Sequence, residues 1–360
     1  MKSIFTREEQ AVSALRELYH VHGYIPYRIS KFEEYGLYAE NQAFLLSQDV
    51  LSFTDTNGRL MALKPDVTLS LVKNTRAGEI APRKLYYSEN VYRADDRAAG
   101  FREIPQVGLE CIGALSDTDR CEVVLLAAES LKLLGGDWLL DLSDMGLVCG
   151  MLDALKLDGE LRREVLDCVR DRNLHGIQSC LGNKISRDAL VRLKALSGLY
   201  GSAEEVLPQL RELLLSPEME AAADRLALAA GVLPADRVRI DLSVMYETNY
   251  YCGLVFQGFL QGIPSRVLSG GCYDNLLRKM GKPGSAVGFA VYPDLLRVLE
   301  QPTPYDADVL LLTNGASPAA CLQAAQAMID RGLTVRLSQE IPAGRFGKIL
   351  TVGEEDAENV

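Results

Sequence analysis

A carboxamide and a carboxylate at alternate positions could form a binding slot on one strand. Gln106, Gly108 and Glu110 are spaced two residues apart, so a β-strand would direct all three to the same face. Glycine at the middle position leaves room between the two polar groups, and the carboxylate end suits an amine. A solvated strand face of mixed charge is the alternative interpretation of the same spacing.

Arg93 could face this slot from a neighbouring strand. Residues 84–92 and 103–112 are predicted to pair as a hairpin, and Arg93 alternates with Glu89 and Val91 along the first of these segments. If that face is the slot's face, the guanidinium would lie across the ladder. A guanidinium in such a position suits a carboxylate or a phosphate.

Two pairs of residues give weaker signals. Asp66 and Thr68 lie in a polar corner between a strand and a helix, where simple helix capping is the favoured interpretation. A capping carboxylate can also accept a ligand ammonium. Tyr250 and Tyr251 could line a pocket, although core packing is the more common role for such a pair.

A glycine pair offers a further weak signal. Gly270 and Gly271 are predicted to lie between a strand and a helix, where backbone N–H groups could approach a ligand. Most glycine pairs of this kind are turns.

The elements that must position these residues predict an α+β fold. Hairpin, strand and helix signals alternate, which indicates an antiparallel sheet flanked by helices. Residues 1–300 are predicted to form this core, with a helical insertion over about 145–230. After a proline-rich linker, residues 305–360 are predicted to form a small, truncated α/β module with strand–helix–strand order.

The composition excludes several classes of function. The chain has 360 residues, 48% of them hydrophobic, and a formal net charge of −11 that opposes broad binding to phosphate backbones. Three histidines, and eight cysteines without a CxxC pair, leave little material for a metal centre or a Ser-His-Asp triad, and no cofactor is expected. The polar N-terminus and the absence of a long apolar run predict a cytoplasmic protein without a membrane span.

Five motifs in a fixed order resemble the catalytic core of histidyl-tRNA synthetases. They read ALKPDVT, NVYRADD followed by GFREIPQVGLECIG, NYYCGLVF, SGGCYDNL and AVGFAV. The resemblance covers most of residues 5–300 and implies a class II synthetase-like sheet with a shortened anticodon-binding-like module. It also implies a set of residues around a bound amino acid: Asp66, Thr68, Arg93, Gln106, Glu110, Tyr250 and Tyr251.

Several positions depart from the synthetase pattern. Tyr246 and Leu295 stand where the synthetases have arginines, and Asn249, Cys272 and Pro105 replace an acidic residue, an arginine and a histidine. Activation of an amino acid requires preorganised cations against the charge on phosphates. The departures therefore predict a chain with no catalytic residues of its own.

The pattern is also similar to the regulatory subunits of ATP phosphoribosyltransferase, a paralogous family in histidine biosynthesis. The resemblance implies a dimeric, non-catalytic subunit that binds a short catalytic subunit, takes histidine as effector and does not bind tRNA. Glu110 with Asp66 or Thr68 would receive the α-ammonium of histidine. An effector site at the subunit interface, an active histidyl-tRNA synthetase and a stand-alone histidine-binding sensor remain open alternatives.

Overall fold

The protein is described by a computed structural model that covers residues 5–45, 50–75, 82–95, 100–245, 251–299 and 304–353. The described residues belong to two units. One spans Glu8–Val298, and the other contains the described parts of Met1–Arg7 and Leu299–Val360.

Strands and helices alternate along the described chain. The strands are β1 (Ile25–Pro26), β2 (Phe32–Glu34), β3 (Ser52–Thr54), β4 (Leu60–Leu63), β5 (Arg83–Asp95), β6 (Gly100–Gly113), β7 (Trp138–Asp144), β8 (Tyr200–Gly201), β9 (Val238–Asp241), β10 (Leu254–Leu260), β11 (Leu268–Cys272), β12 (Ser285–Val291), β13 (Ala307–Leu312), β14 (Val335–Ser338) and β15 (Phe346–Thr351). The α-helices are α1 (Arg7–Val21), α2 (Tyr35–Glu40), α3 (Val67–Asn74), α4 (Asp117–Leu134), α5 (Met145–Ala154), α6 (Gly159–Arg170), α7 (Leu174–Leu181), α8 (Arg187–Gly198), α9 (Ala203–Arg211), α10 (Pro217–Gly231), α11 (Asp274–Lys279) and α12 (Pro318–Asp330).

A nine-stranded sheet forms the centre of the larger unit, in the order β1-β5-β6-β12-β11-β10-β7-β9-β8. The six strands from β5 to β7 in this order are antiparallel to their neighbours throughout. Parallel pairing occurs at β1 with β5 and at β7 with β9. The predicted α+β class, with a largely antiparallel sheet flanked by helices, is confirmed.

The β5–β6 hairpin places the predicted slot and the predicted guanidinium on one face. Glu89 pairs with Gln106, and Arg93 pairs with Arg102. Residues directly opposite each other in an antiparallel ladder share a face. Arg93, Gln106 and Glu110 therefore all face the same side of the sheet.

Helix α3 packs over this face and is held at both ends. At its start, the Asp66 carboxylate accepts a hydrogen bond of 2.9 Å from the backbone N–H of Leu69. At its end, the Lys282 ammonium donates to the backbone carbonyls of Lys73 (2.7 Å), Thr75 (2.5 Å) and Val72. A cation at the C-terminal end of a helix also complements the helix dipole. These contacts fix the helix that carries Thr68.

The glycine pair lies inside a strand, so the prediction that it stands between a strand and a helix is wrong. Gly270 and Gly271 belong to β11, and α11 begins only at Asp274. A Cβ atom at Gly270 would lie 2.4 Å from the Cβ of Phe289, and one at Gly271 would lie 2.7 Å from the carbonyl oxygen of Leu254. Glycine is needed because β11 is crowded by its neighbouring strands, which local sequence does not reveal.

In the sequence, six helices, α5–α10, lie between β7 and β9. These two strands are nevertheless neighbours in the sheet.

The smaller unit has a parallel sheet in the order β14-β13-β15, and residues of α12 complete its apolar core. Its strand–helix–strand order is as predicted from the sequence, and residues 346–351 add a third strand.

We expect Lys282→Met to destabilise the larger unit by about 1–3 kcal/mol, because three backbone carbonyls at the end of α3 would lose a charged donor. Urea denaturation measures this change. The matched control is Lys279→Met, which changes an exposed lysine at the end of α11. Equal stability losses in the two variants would show that the contacts of Lys282 do not stabilise the fold.

Candidate functional site

A cavity of about 400 Å³, including the space at its open mouth, lies over the sheet beside α3. Six of the seven residues predicted to surround a ligand line it. They are Asp66, Thr68, Arg93, Gln106, Glu110 and Tyr251. The seventh, Tyr250, lies outside the described residues, as do Tyr246 and Asn249.

Glu110 is the most deeply buried of the acidic side chains in the cavity, with 2% of its surface exposed. Its Oε1 accepts a hydrogen bond from the Thr68 hydroxyl at 3.1 Å, and its Oε2 accepts one from the Tyr273 hydroxyl at 2.7 Å. Both oxygens are thus held by hydroxyl groups. These contacts fix the orientation of the carboxyl group in the cavity wall.

Glycine on the adjacent strand makes room for this carboxyl group. A Cβ atom at Gly288 would lie 1.7 Å from Glu110 Oε2, so no larger residue fits there without moving the side chain. The predicted space above Gly108 is instead occupied, because a Cβ atom there would lie 2.5 Å from the hydroxyl oxygen of Tyr87. The predicted slot between Gln106 and Glu110 is therefore wrong in detail, since a tyrosine fills it.

Burial raises the pKa of Glu110 to about 8, because the charged form loses its hydration. The hydrogen bonds from Tyr273 and Thr68 oppose this effect, and the negative charge of Asp66 adds to it. At neutral pH the unliganded carboxyl group therefore holds its proton in a large fraction of molecules. A cation placed beside it would favour the ionised form.

Asp66 combines the capping role with a place in the cavity wall. Burial raises its pKa, while the hydrogen bond from the Leu69 N–H and the positive charge of Arg93 act in the opposite direction. The Arg93 Nε donates to the carbonyl oxygen of Pro65 at 2.9 Å, which holds the guanidinium next to the start of α3. A carboxylate and a guanidinium are thus presented side by side.

A buried ion pair holds the segment that precedes α3. The sequence analysis did not predict this pair. The Lys64 side chain is fully buried, and its ammonium lies 2.6 Å from Glu89 Oε2. The backbone carbonyl of Lys64 also accepts a hydrogen bond from the Tyr92 N–H at 3.0 Å. Loss of one partner would leave an uncompensated buried charge, which typically costs about 3–5 kcal/mol.

Two polar side chains in the wall are available for a ligand. The Gln106 carboxamide (4% exposed) and the Tyr87 hydroxyl (2% exposed) have no hydrogen-bond partner within the described part of the chain. Buried polar groups are normally satisfied. Their presence beside an open cavity indicates that a bound molecule or water completes their hydrogen bonding.

Tyrosine side chains form much of the remaining wall. Tyr251, Tyr273 and Tyr292 line the cavity, and the Tyr292 hydroxyl is 2.7 Å from the Ser269 Oγ. Tyr273 occurs in the SGGCYDNL motif but was not predicted as a site residue. Tyr87 could have been found by extending the alternation of Glu89 and Arg93 by one step.

The cavity can therefore bind a small polar molecule of mixed charge. It offers two buried carboxyl groups, one guanidinium, several hydroxyls and a carboxamide. Among the described residues, no group of three or more His, Cys, Asp or Glu side chains is placed to hold a metal ion. No helix in the described segments is long and apolar enough to cross a membrane.

Comparison with known proteins gives consistent similarities. Residues 3–296 match the family model described as histidyl-tRNA synthetase. The ATP phosphoribosyltransferase regulatory subunit of Caldanaerobacter subterraneus subsp. tengcongensis is 32% identical over 289 residues, which cover 77% of this chain and 74% of that protein.

Two solved structures share the fold. An ATP phosphoribosyltransferase regulatory subunit/histidyl-tRNA synthetase from Bacillus halodurans C superposes with a TM-score of 0.75 at 22% identity, over 98% of this chain and 96% of that chain. A chain of the ATP phosphoribosyl transferase (HisG:HisZ) complex from Thermotoga maritima gives a TM-score of 0.63 at 20% identity, over 79% of this chain and 97% of that chain.

We expect the raised pKa of Glu110 to make stability depend on pH. The folded protein keeps this proton up to about pH 8, whereas an unfolded glutamate loses it near pH 4.5. The free energy of unfolding should therefore fall by about 1.4 kcal/mol per pH unit between these values from this group alone. Glu110→Gln cannot lose a proton and should remove this slope.

Thermal unfolding between pH 5.5 and 8 measures the difference between the variant and the original chain. The matched control is Glu103→Gln, which changes an exposed glutamate on the same strand and should keep the original slope. Parallel pH profiles for Glu110→Gln and the original chain would mean that Glu110 is ionised throughout this range.

Proposed function

We infer the function of this chain from its family: it belongs to the histidyl-tRNA synthetase family and, within it, to the ATP phosphoribosyltransferase regulatory subunits. It is a regulatory subunit that serves histidine biosynthesis. The observation that carries the rest of the proposal is the cavity around Glu110, whose carboxyl groups and guanidinium suit the charges of one amino acid. The chain acts in the cytoplasm together with a catalytic partner.

We propose that the chain has no catalytic step of its own. Arg93 is the only cationic side chain among the described residues that line the cavity. Transfer or activation at a triphosphate needs several preorganised cations, and a single guanidinium does not supply them. Leu295, which aligns with a synthetase arginine, cannot supply a charge, and Tyr246 aligns with a second such arginine.

The proposed partner is a short catalytic ATP phosphoribosyltransferase subunit. The solved Thermotoga maritima complex contains a chain of this fold, which supports an assembly of the same kind. The chain would also pair with a second copy of itself. The net charge of −11 supports the absence of tRNA from its partners.

Histidine is the proposed effector, and the cavity is its proposed site. Its α-ammonium would lie against Glu110 and Asp66, close to the Thr68 hydroxyl. Its α-carboxylate would pair with the guanidinium of Arg93, which is held beside Asp66. The neighbouring arrangement of a carboxylate and a guanidinium is complementary to the zwitterionic end of an amino acid.

The remaining polar groups suit the rest of the ligand. The Gln106 carboxamide and the Tyr87 hydroxyl would gain partners, which removes the cost of leaving them unsatisfied. Tyr251 and Tyr273 would flank the imidazole ring. Regulation requires that histidine bind one state of the assembly more tightly than another.

We expect the affinity for histidine to rise with pH between about 6.5 and 8, by up to tenfold per unit, because the ammonium requires an ionised Glu110. Below its pKa of about 8 this group must release a proton before it can pair with a cation. Glu110→Gln should weaken binding and flatten the pH dependence. Isothermal titration calorimetry measures both, in buffers of different ionisation enthalpy to count the released proton.

Glu103→Gln serves again as the control and should bind as tightly as the original chain. Binding of histidine to Glu110→Gln with unchanged affinity would place the effector elsewhere, for example at the subunit interface. That result would leave the role of the chain as a regulatory subunit intact.

Reconstitution separates the proposed function from its alternatives. We expect phosphoribosyl transfer to ATP only when the purified chain is mixed with a short catalytic subunit, and no histidine-dependent ATP–pyrophosphate exchange by the chain alone. Inhibition of the complex by histidine should be lost in Glu110→Ala. Exchange activity would identify a synthetase, and failure to form or activate a complex would favour a stand-alone sensor.

A further inference from the structure

A pair of cysteines lies in a helical hairpin far along the chain from the cavity residues. Helices α6 and α7 are joined by three residues, 171–173, and pack against each other. Cys168 lies near the end of α6, and Cys180 lies near the end of α7. Short connections of this kind bring the side chains of consecutive helices together.

The Cys168 sulfur faces the side of α7 that carries Cys180. Cys180 follows Gly176 by four residues, so both lie on one face of α7. Burial, and after it the nearby Cys180, raise the pKa of the Cys168 thiol. Gly176 in α7 permits the approach, because a Cβ atom there would lie 2.7 Å from the Cys168 Sγ. The missing side chain thus leaves the space in which the Cys168 sulfur lies against the second helix.

Both cysteines are also reachable from solvent. Cys168 and Cys180 are half-buried, whereas Cys111, Cys272 and Cys321 are buried. All eight are present as free thiols. A small oxidant can therefore reach this pair without unfolding of the core.

We propose that Cys168 and Cys180 form a dithiol site that small-molecule disulfides convert to an intramolecular disulfide. One thiolate attacks the small disulfide, forms a mixed disulfide and releases one small thiol. The second cysteine attacks the protein sulfur of that mixed disulfide and releases the second small thiol. The two protein thiols are oxidised while the small disulfide is reduced to two thiols, so atoms and electrons balance.

The location gives this bond a structural consequence. Arg172, in the turn between the two helices, has a left-handed backbone with φ of 51°. Its guanidinium donates to Asp241 Oδ2 at 2.5 Å and to Ser243 Oγ at 3.1 Å, and it stacks over the Tyr200 ring at 4.5 Å. A disulfide would link the two helices that the Arg172 turn connects.

The test uses the purified full-length chain incubated with oxidised glutathione at about pH 8, where thiolates form more readily. Remaining thiols are then alkylated, and the intact mass is measured. We expect two of the eight thiols to escape alkylation. Trypsin cleaves after Arg170 and Arg172, so the bond should join two separate peptides that contain Cys168 and Cys180.

The single variants Cys168→Ser and Cys180→Ser should each retain all their thiols in alkylatable form or carry one mixed disulfide. Cys121→Ser, which changes a half-buried cysteine in α4, should still form the bond. The oxidised chain should also melt at a higher temperature than the reduced chain. Full alkylation of the original chain after oxidation, a stable mixed disulfide alone, or a bond between other cysteines would overturn the proposal.

Discussion

The burial of one carboxyl group constrains much of the larger unit. Glu110 projects from β6 into a cavity wall with only 2% of its surface exposed. Burying a carboxylate without compensation is unfavourable, so its neighbours must either donate hydrogen bonds or let it keep its proton. Thr68 and Tyr273 supply the donors, and Gly288 supplies the space. Each of these three residues belongs to a different element, which means that α3, β12 and the start of α11 must all be correctly placed for this one group.

Polar contacts at both ends of α3 and before it hold the helix in place. Asp66 caps the start of the helix, and Lys282 binds the carbonyls at its end. Lys64, fully buried beside Glu89, holds the segment that leads into the helix. Neither lysine lines the cavity, but both hold the part of the chain that carries Thr68. The stability of α3 and the shape of the cavity therefore depend on the same charged contacts.

Alternation along a single hairpin was enough to predict which polar residues face the cavity. Arg93, Gln106 and Glu110 lie on one face because strand geometry is local and periodic. Contacts between distant strands were not predictable in this way. Gly270 and Gly271 look like a turn when read alone, but their role is to let β11 fit against Phe289 and Leu254. Tyr87 filled the predicted slot for a similar reason, since the volume above Gly108 depends on the partner strand. Tyr246, Asn249 and Tyr250, which the sequence analysis also named, lie outside the described residues.

A buried carboxyl group of raised pKa also offers a physical route from ligand to regulation. In the proposed function, the ammonium of histidine favours the ionised form of Glu110. The hydrogen bonds that this group accepts from the hydroxyls of Thr68 and Tyr273 then become stronger. Ligand binding and the position of α3 are then linked, because a shift of the helix would remove a donor from an ionised, buried carboxylate. Linkage is reciprocal. If histidine changes the affinity for a partner that shifts α3, that partner must change the affinity for histidine by the same factor. Regulation in this scheme needs no catalytic cation in the cavity. It needs a carboxyl group whose charge depends on the ligand and a helix whose position depends on that charge.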